Sequence, residues 1–255
     1  MHVPYDKIIS IRDASLPGFP ERQEKASKAI AGILSSINAN TVWDIGCGSG
    51  EITNNLASRF PDKQFIGIDI SKKSLDIASK NSTHIPNIKY NCATINSIIP
   101  DNNQNEIVLS VGNTLIHFGE KELGEWLDKL ENLNRLPAYI FIDFINDWDD
   151  IVKKGNDFQV CTHSINNQSF FLAGINTVRI EERIVRELIT IEGDNTAKNK
   201  DFVTHIAPVE QYADYTESYF AHLKHSKYSL VEGITYEHGY GTMKGSLWTK
   251  NKLID

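Results

Sequence analysis

An open α/β sheet of seven strands, with helices packed on it and an antiparallel β insertion late in the chain, is the fold class that this 255-residue sequence predicts. Three observations point there. Short apolar runs ending in acidic or glycine residues alternate with stretches of helical period, the pattern of parallel βαβ units. One junction, Val42-Trp43-Asp44-Ile45-Gly46-Cys47-Gly48-Ser49-Gly50-Glu51, carries glycine at every second position after an acidic residue. Between Phe158 and about Ile206 the apolar period changes to two, as in antiparallel strands. The expected organisation is an N-terminal arm and helix over 1–40, a nucleotide-binding domain over 41–155 and 208–255, and an inserted β subdomain over 156–207.

The glycine junction reads as a buried strand, a tight turn and a helix N-terminus. Its glycines allow positive φ and let a ligand approach the main chain. A dinucleotide loop would read G-x-G-x-x-G, whereas the spacing here is G-x-G-x-G with Asp44 two residues ahead. A carboxylate there repels a pyrophosphate and attracts a sulfonium that also carries a free ammonium. Nineteen residues after Gly50, the run Lys63-Gln64-Phe65-Ile66-Gly67-Ile68-Asp69-Ile70 ends in a second acidic residue. In a βαβ nucleotide fold an acid about 20 residues on accepts from ribose hydroxyls. Together the two pieces resemble motif I and its acidic partner in the class I S-adenosylmethionine (SAM)-dependent methyltransferases. That resemblance implies a Rossmann-like seven-stranded fold, SAM as cofactor and S-adenosylhomocysteine as product.

Taken in order, 1–18 has no clear period, with Pro4, Pro17 and Gly18 marking turns. Tyr5 on this arm would either cap the cofactor or simply anchor the arm. Pro20 to Ile37 carries Ala26, Ala29, Ile30, Ile33, Leu34 and Ile37 at helical spacing. Glu51 to Phe60 continues as a helix whose N–H groups would receive the methionine carboxylate of SAM. Ser71 caps the next helix, which runs through Lys80. Asn87 to Ala93 is a third strand. The family often places an adenine-binding Asp after it, where this chain has Cys92. Adenine would then be held by the amides of Cys92 and Ala93 or by Asn91, unless Cys92 is an ordinary buried residue.

Glu106 to Val111 is the fourth strand and runs into Gly112-Asn113-Thr114-Leu115-Ile116-His117-Phe118. Ligands of open α/β sheets lie beyond the carboxyl ends of the strands, so this segment belongs at the mouth of the site. It is similar to the G-N-S-x-x-H-L segment of glycine N-methyltransferase-like enzymes. His117 would orient a substrate or accept a proton, or else cap the turn into the following helix. That helix spans Glu120 to Leu133, and Pro137 to Ile145 is the fifth strand. Asp143-Phe144-Ile145-Asn146-Asp147-Trp148-Asp149 is similar to the I-D-x-x-N-Y-D stretch of the same relatives, with one residue inserted. It makes Asn146 and Trp148 candidates for acceptor contact.

Within the insertion, Phe170–Ile175, Asn176–Val185, Arg186–Glu192 and Asp201–Ile206 are expected strands, separated by Asn- and Gly-bearing turns. Those relatives hold a substrate carboxylate with an arginine in the last inserted strand, where this chain aligns Val203 with His205 nearby. The resemblance thus implies an inserted sheet covering the acceptor pocket and an acceptor other than glycine. Pro208 to His222 is expected as a helix, Tyr228–Ile234 and Met243–Lys250 as the last strands, and Tyr236 to Gly241 as a loop.

Composition bounds the partners. Hydrophobic content of 40% and charged content of 23% describe an ordinary globular protein. No run approaches the ~20 apolar residues of a membrane span, and Met1 to Lys7 lacks signal-peptide character. Cys47, Cys92 and Cys161 show no C-x-x-C, so neither a disulfide framework nor a metal site is expected, and a cytoplasmic setting follows. The net charge of −7, from 33 acidic and 26 basic residues, argues against nucleic acid and for a small-molecule acceptor. A homo-oligomer is compatible with all of this.

The expected SAM contacts are Asp44, Gly46, Cys47, Gly48, Gly50, Asp69, Ile70, Cys92, Ala93, Val111 and Asn113; the expected acceptor-side residues are His117, Asn146 and His205. An amine acceptor needs its lone pair steered, by Asn113, Asn146 or Asp143. A hydroxyl needs a general base, His117 or His205. The balance favours N-methylation slightly over O- or C-methylation. Competing readings are an RNA or protein methyltransferase and a SAM-binding module or aminopropyl transferase. A NAD-dependent dehydrogenase is opposed by Asp44 and the glycine spacing.

Overall fold

The computed structural model describes residues 19–100, 105–112, 114–117, 120–145, 157–165, 168–179, 183–194, 202–211, 216–225, 228–238 and 241–251. The chain divides into two compact units. The larger, Pro20–Asn146 with Asp214–Asp255, holds a seven-stranded sheet; the other contains a four-stranded sheet within Asp147–Ala213.

In the larger unit α1 (Phe19–Ser36) precedes β1 (Thr41–Ile45), α2 (Glu51–Arg59), β2 (Gln64–Asp69), α3 (Lys72–Asn81), β3 (Ile88–Cys92) and β4 (Glu106–Ser110). Then come α4 (Glu120–Asn132) and β5 (Tyr139–Ile145), and after the four-stranded sheet α5 (Thr216–His225), β10 (Tyr228–His238) and β11 (Gly241–Lys250). The strand order is β10-β11-β5-β4-β1-β2-β3. β3, β2, β1, β4 and β5 run parallel to their neighbours, while β11 is antiparallel to β5 and to β10. The chain builds outward from β1 to β3, then crosses back to lay β4 on the other side of β1. That reversal opens a crevice at the carboxyl ends of β1 and β4, where open α/β sheets bind ligands.

Central position explains the composition of β1 and β4. Both are covered on two faces, so β4 is buried throughout and β1 from Val42 onward. One face packs Ile30 and Leu34 of α1 and Leu56 of α2 on Val42, Phe65, Ile107, Leu109 and Phe141. The other carries Val108, Ile140 and Ile142 with Leu123 and Trp126 of α4 and Leu223 of α5, around a small apolar cavity. Each such side chain contributes roughly 1.5–3 kcal/mol on burial. The Trp126 indole N–H is satisfied by the Ile98 carbonyl at 3.1 Å. Ser71 caps α3, its hydroxyl accepting from the Ser74 N–H at 3.1 Å.

The smaller unit is an antiparallel meander of β6 (Asp157–Ile165), β7 (Gln168–Arg179), β8 (Arg183–Asp194) and β9 (Phe202–Gln211). Three boundaries differ from the sequence expectation. The run expected over Asn176–Val185 is interrupted, because β7 ends at Arg179 and β8 begins at Arg183. Nothing from Arg179 to Arg183 is Gly, Pro or Asn, so no turn signal stood there. Pro208 does not open a helix but lies in β9, opposite Glu187; the helix begins at Thr216. As the edge strand, β9 tolerates a residue that cannot donate to the ladder. Finally, Tyr236 to Gly241 is not a loop beyond the strands: Tyr236 pairs with Met243, Glu237 with Thr242 and His238 with Gly241. Tyr236 and His238 are buried, at the inward positions of a two-residue period.

Candidate active site

Everything the sequence placed in the cofactor site on the larger unit and that lies among the described residues sits at the carboxyl ends of β1 to β4. The turn after β1 is held to β2 by the Gly46 and Cys47 N–H groups, which donate to the Ile68 carbonyl at 2.7 and 3.1 Å. Gly46, Gly48 and Gly50 all have positive φ, between 56° and 81°. Their surroundings differ. A Cβ at Gly46 would lie 2.3 Å from Thr114 Cγ2, and one at Gly50 2.5 Å from the Tyr90 hydroxyl, whereas one at Gly48 would meet nothing within 4 Å. Gly48 is therefore where the loop presents bare main chain to open space. Gly50 is the N-cap of α2 and makes no side-chain cap hydrogen bond there.

Asp69 closes the loop from the end of β2. One carboxylate oxygen accepts from the Gly48 N–H at 2.9 Å and the other from the Ser71 N–H at 2.8 Å. Asp44 is buried, 3% exposed, and its carboxylate accepts from the Thr53 hydroxyl of α2 at 2.5 Å. Burial pushes Asp44 up to about 7; the Thr53 hydrogen bond opposes this, and the Asp69 and Asp143 carboxylates reinforce it. Three carboxylates thus converge where the strands end. Such a group raises its own proton affinity until a cation arrives. Cys47 is partly buried, its thiol pushed well up by burial and then by Asp44 and Asp69, so it is no thiolate nucleophile.

Tyr90 of β3 fills the room left by two missing side chains: a Cβ at Gly67 would lie 2.4 Å from its ring. Its hydroxyl donates to Asn54 Oδ1 at 2.7 Å, bracing β3 against α2 behind the glycine loop. Just past the end of β2, Ile70 is an exposed apolar side chain, 41% accessible. Cys92 is exposed rather than buried, its thiol 3.5 Å from the Ile70 carbonyl. The Ala93 N–H, expected to meet adenine, donates instead to the Asp69 carbonyl at 3.1 Å, because the β2–β3 ladder extends by that one bond.

At the end of β4, Val111 is a buried side chain whose carbonyl accepts from the Thr114 hydroxyl at 2.9 Å. Gly112, with φ 80°, donates its N–H to the Asp143 carboxylate at 2.9 Å. That same oxygen takes the Tyr236 hydroxyl in a short hydrogen bond. Burial, and then the Asp143 charge, push the Tyr236 phenol well above its ordinary range, so it stays a donor. Tyr236 and Tyr90 were not found from sequence, since each acts through a partner distant in the chain, and Thr53, nine residues from Asp44, because a threonine in a helix carries no signal of its own. His117 ends the short 3₁₀ turn Thr114–His117, with its side chain outside the described residues. His205 stands on β9 opposite Thr190, and Val203 opposite Glu192. Asn113, Asn146, Trp148 and Tyr5 lie outside the described residues.

Comparison with known proteins agrees with this architecture. Residues 42–135 match the family described as a methyltransferase domain. A tRNA (guanine-N(7)-)-methyltransferase of Acetivibrio thermocellus is 31% identical over 112 residues, 44% of this chain and 42% of that protein. A malonyl-[acyl-carrier protein] O-methyltransferase of Halalkalibacterium halodurans is 37% identical over 49 residues, 19% of this chain and 18% of that protein. The chain thus spans less than half the length of these curated relatives. An S-adenosylmethionine-dependent methyltransferase structure from Clostridium acetobutylicum superposes with a TM-score of 0.67 at 14% identity, covering 97% of this chain and 96% of that one. Residues 42–135 thus match the methyltransferase-domain family, and the chain has the Rossmann-like fold seen in class I SAM-dependent methyltransferases.

Proposed function

We propose that this protein transfers a methyl group from SAM to a small-molecule acceptor, with an amine nitrogen favoured. The observation that carries the reading is the conjunction, at the switch point of the sheet, of the open main chain at Gly48 with the carboxylates of Asp44 and Asp69. These residues fit SAM. Asp69 would take the ribose, Ile70 would lie along the adenine, and the start of α2 would receive the carboxylate. Asp44 would face the ammonium and sulfonium end, whose charge its burial otherwise leaves unbalanced. When bound, SAM supplies a methyl group already activated for in-line displacement.

What remains for the chain is to hold the acceptor, exclude water and manage a proton. Alignment of this kind lowers a barrier by up to ~7–11 kcal/mol. For an amine, Asn113 and Asn146 would steer the lone pair; for a hydroxyl, His117 or His205 would act as base. The small-molecule reading is supported by the net charge of −7. It is also supported by a shared architecture: a sugar N-methyltransferase structure from a Streptoalloteichus species covers 98% of this chain and 94% of its own, with a TM-score of 0.64 at 14% identity. The second reading, methylation of RNA, draws on the partial match to the tRNA methyltransferase.

The test is incubation with methyl-labelled SAM and a cell extract, followed by separation of small molecules from polymers. Label in a new small molecule is expected. Label in RNA would replace this reading with the second one, and label in protein would overturn both.

A further inference from the structure

The buried hydroxyl of Tyr236 belongs to the last hairpin of the sheet, yet its partner is a group at the cofactor end of the site. Asp143 is fully buried on β5. Tyr236 on β10 reaches it across the intervening strand β11, where Gly245 pairs with both Asp143 and Ile234. Paired residues of antiparallel strands point to the same face, so Gly245 places no side chain on the face that Asp143 and Tyr236 share. The oxygen of Asp143 that accepts from Tyr236 also accepts from the Gly112 N–H. Gly112 starts the turn whose Thr114 methyl fills the space over Gly46. An unbroken line of contacts therefore runs from β10 through β5 and the end of β4 to the glycine loop.

We propose that Tyr236 is a positioning residue for the cofactor site: by donating to Asp143 it fixes the Gly112 turn, and through that turn the wall that stands against the glycine loop. The proposal rests on the reading of that loop as a SAM site. It assigns a function to a hydroxyl that packing alone does not require, because a phenylalanine would fill the same room.

The strand supplies its own control. Tyr228, also on β10 and also buried, donates its hydroxyl to the Pro137 carbonyl at 2.6 Å, on the same hairpin but outside the line of contacts to the glycine loop. Tyr236→Phe and Tyr228→Phe remove the same atom from the same strand. SAM affinity by calorimetry, and hydrogen exchange at the Gly112 amide, separate their roles. Tyr236→Phe is expected to weaken SAM on the order of tenfold, the effect of losing one hydrogen bond to a charged group, and to speed exchange at Gly112. Tyr228→Phe is expected to keep wild-type affinity even where it lowers the denaturation midpoint.

Equal affinity in the two variants overturns the proposal, whether both are weakened or neither is. Should Tyr236→Phe fail to fold, Asp143→Asn tests the same link from the other side. It is expected to weaken SAM similarly, and wild-type affinity in it overturns the proposal. A wild-type protein that binds no SAM overturns the cofactor reading itself, a result distinct from any of these.

Discussion

The Thr53 hydroxyl, in the first turn of α2, donates to the buried carboxylate of Asp44 at the end of β1, 2.5 Å away and nine residues earlier. This bond spans the glycine loop at its base and ties strand to helix on either side of it. It also provides a donor to a charge that burial disfavours. Thr53→Val keeps the shape and removes the donor. We expect it to destabilise the protein by about 1–3 kcal/mol and to move the titration of Asp44 above 7. Denaturant titration and the pH dependence of stability check the two effects separately.

Asp44 gives the cofactor-free protein a characteristic pH response. Its folded value of about 7 lies above the ordinary 3.8, so between these values the folded chain keeps a proton that the unfolded chain has released. The contribution of this group to stability is therefore greatest below about pH 4 and declines as pH rises through 7. Melting temperatures from pH 5 to 8 should fall more steeply in the wild type than in Asp44→Asn, since only the wild type has this proton to lose. SAM affinity should run the opposite way, rising toward pH 7 in the wild type as the carboxylate ionises, and staying weak and flat in the variant. Parallel slopes in the two proteins would refute the assignment.

Asp69→Ala should weaken SAM by about 1–3 kcal/mol through loss of a charge-assisted acceptor. The structure adds a second consequence, because Asp69 also holds the Gly48 and Ser71 N–H groups. Proteolysis of the cofactor-free variant should therefore be faster within the loop than in wild type. Unchanged calorimetric affinity would remove Asp69 from the ribose.

Two glycines of the loop should fail in different ways. Gly48→Ala meets no neighbour and should cost only about 1–2 kcal/mol for its left-handed backbone, yet abolish measurable SAM binding. Gly50→Ala drives a methyl into the Tyr90 hydroxyl and Ala78 and should impair folding itself. Thermal denaturation set beside calorimetry distinguishes them.

The legible part of this protein was the part whose partners are close in sequence. Asp44, the three glycines and Asp69 fall within one βαβ unit, so spacing alone was enough to group them, and the Gly48–Asp69 hydrogen bond joins them in the structure. The inserted strands were legible as strands, but Pro208 misled, because an edge position that tolerates proline cannot be read from one segment. Tyr236 was misread for a related cause: the glycines beside it suggest a loop, whereas the burial of Tyr236 and His238 arises only from pairing with β11. Thr53 and Tyr90 carried no signal, since a threonine in a helix and a tyrosine in a strand are ordinary residues until their neighbours are known.

The placement of β11 between β5 and β10 has a consequence for how the molecule is made. Tyr236 cannot reach Asp143 until β11, the later of the two hairpin strands, has been laid against β5. The 93 residues separating this pair include the whole four-stranded sheet, so the link is among the costliest loop closures in the chain. A growing polypeptide would expose the sticky flank of β5 throughout synthesis of that sheet, and the closing hairpin would have to dock as one piece. A chaperone acting on this protein would be needed most in that interval, and strains that grow well on the intact sequence should accumulate aggregates when the final hairpin is cut away.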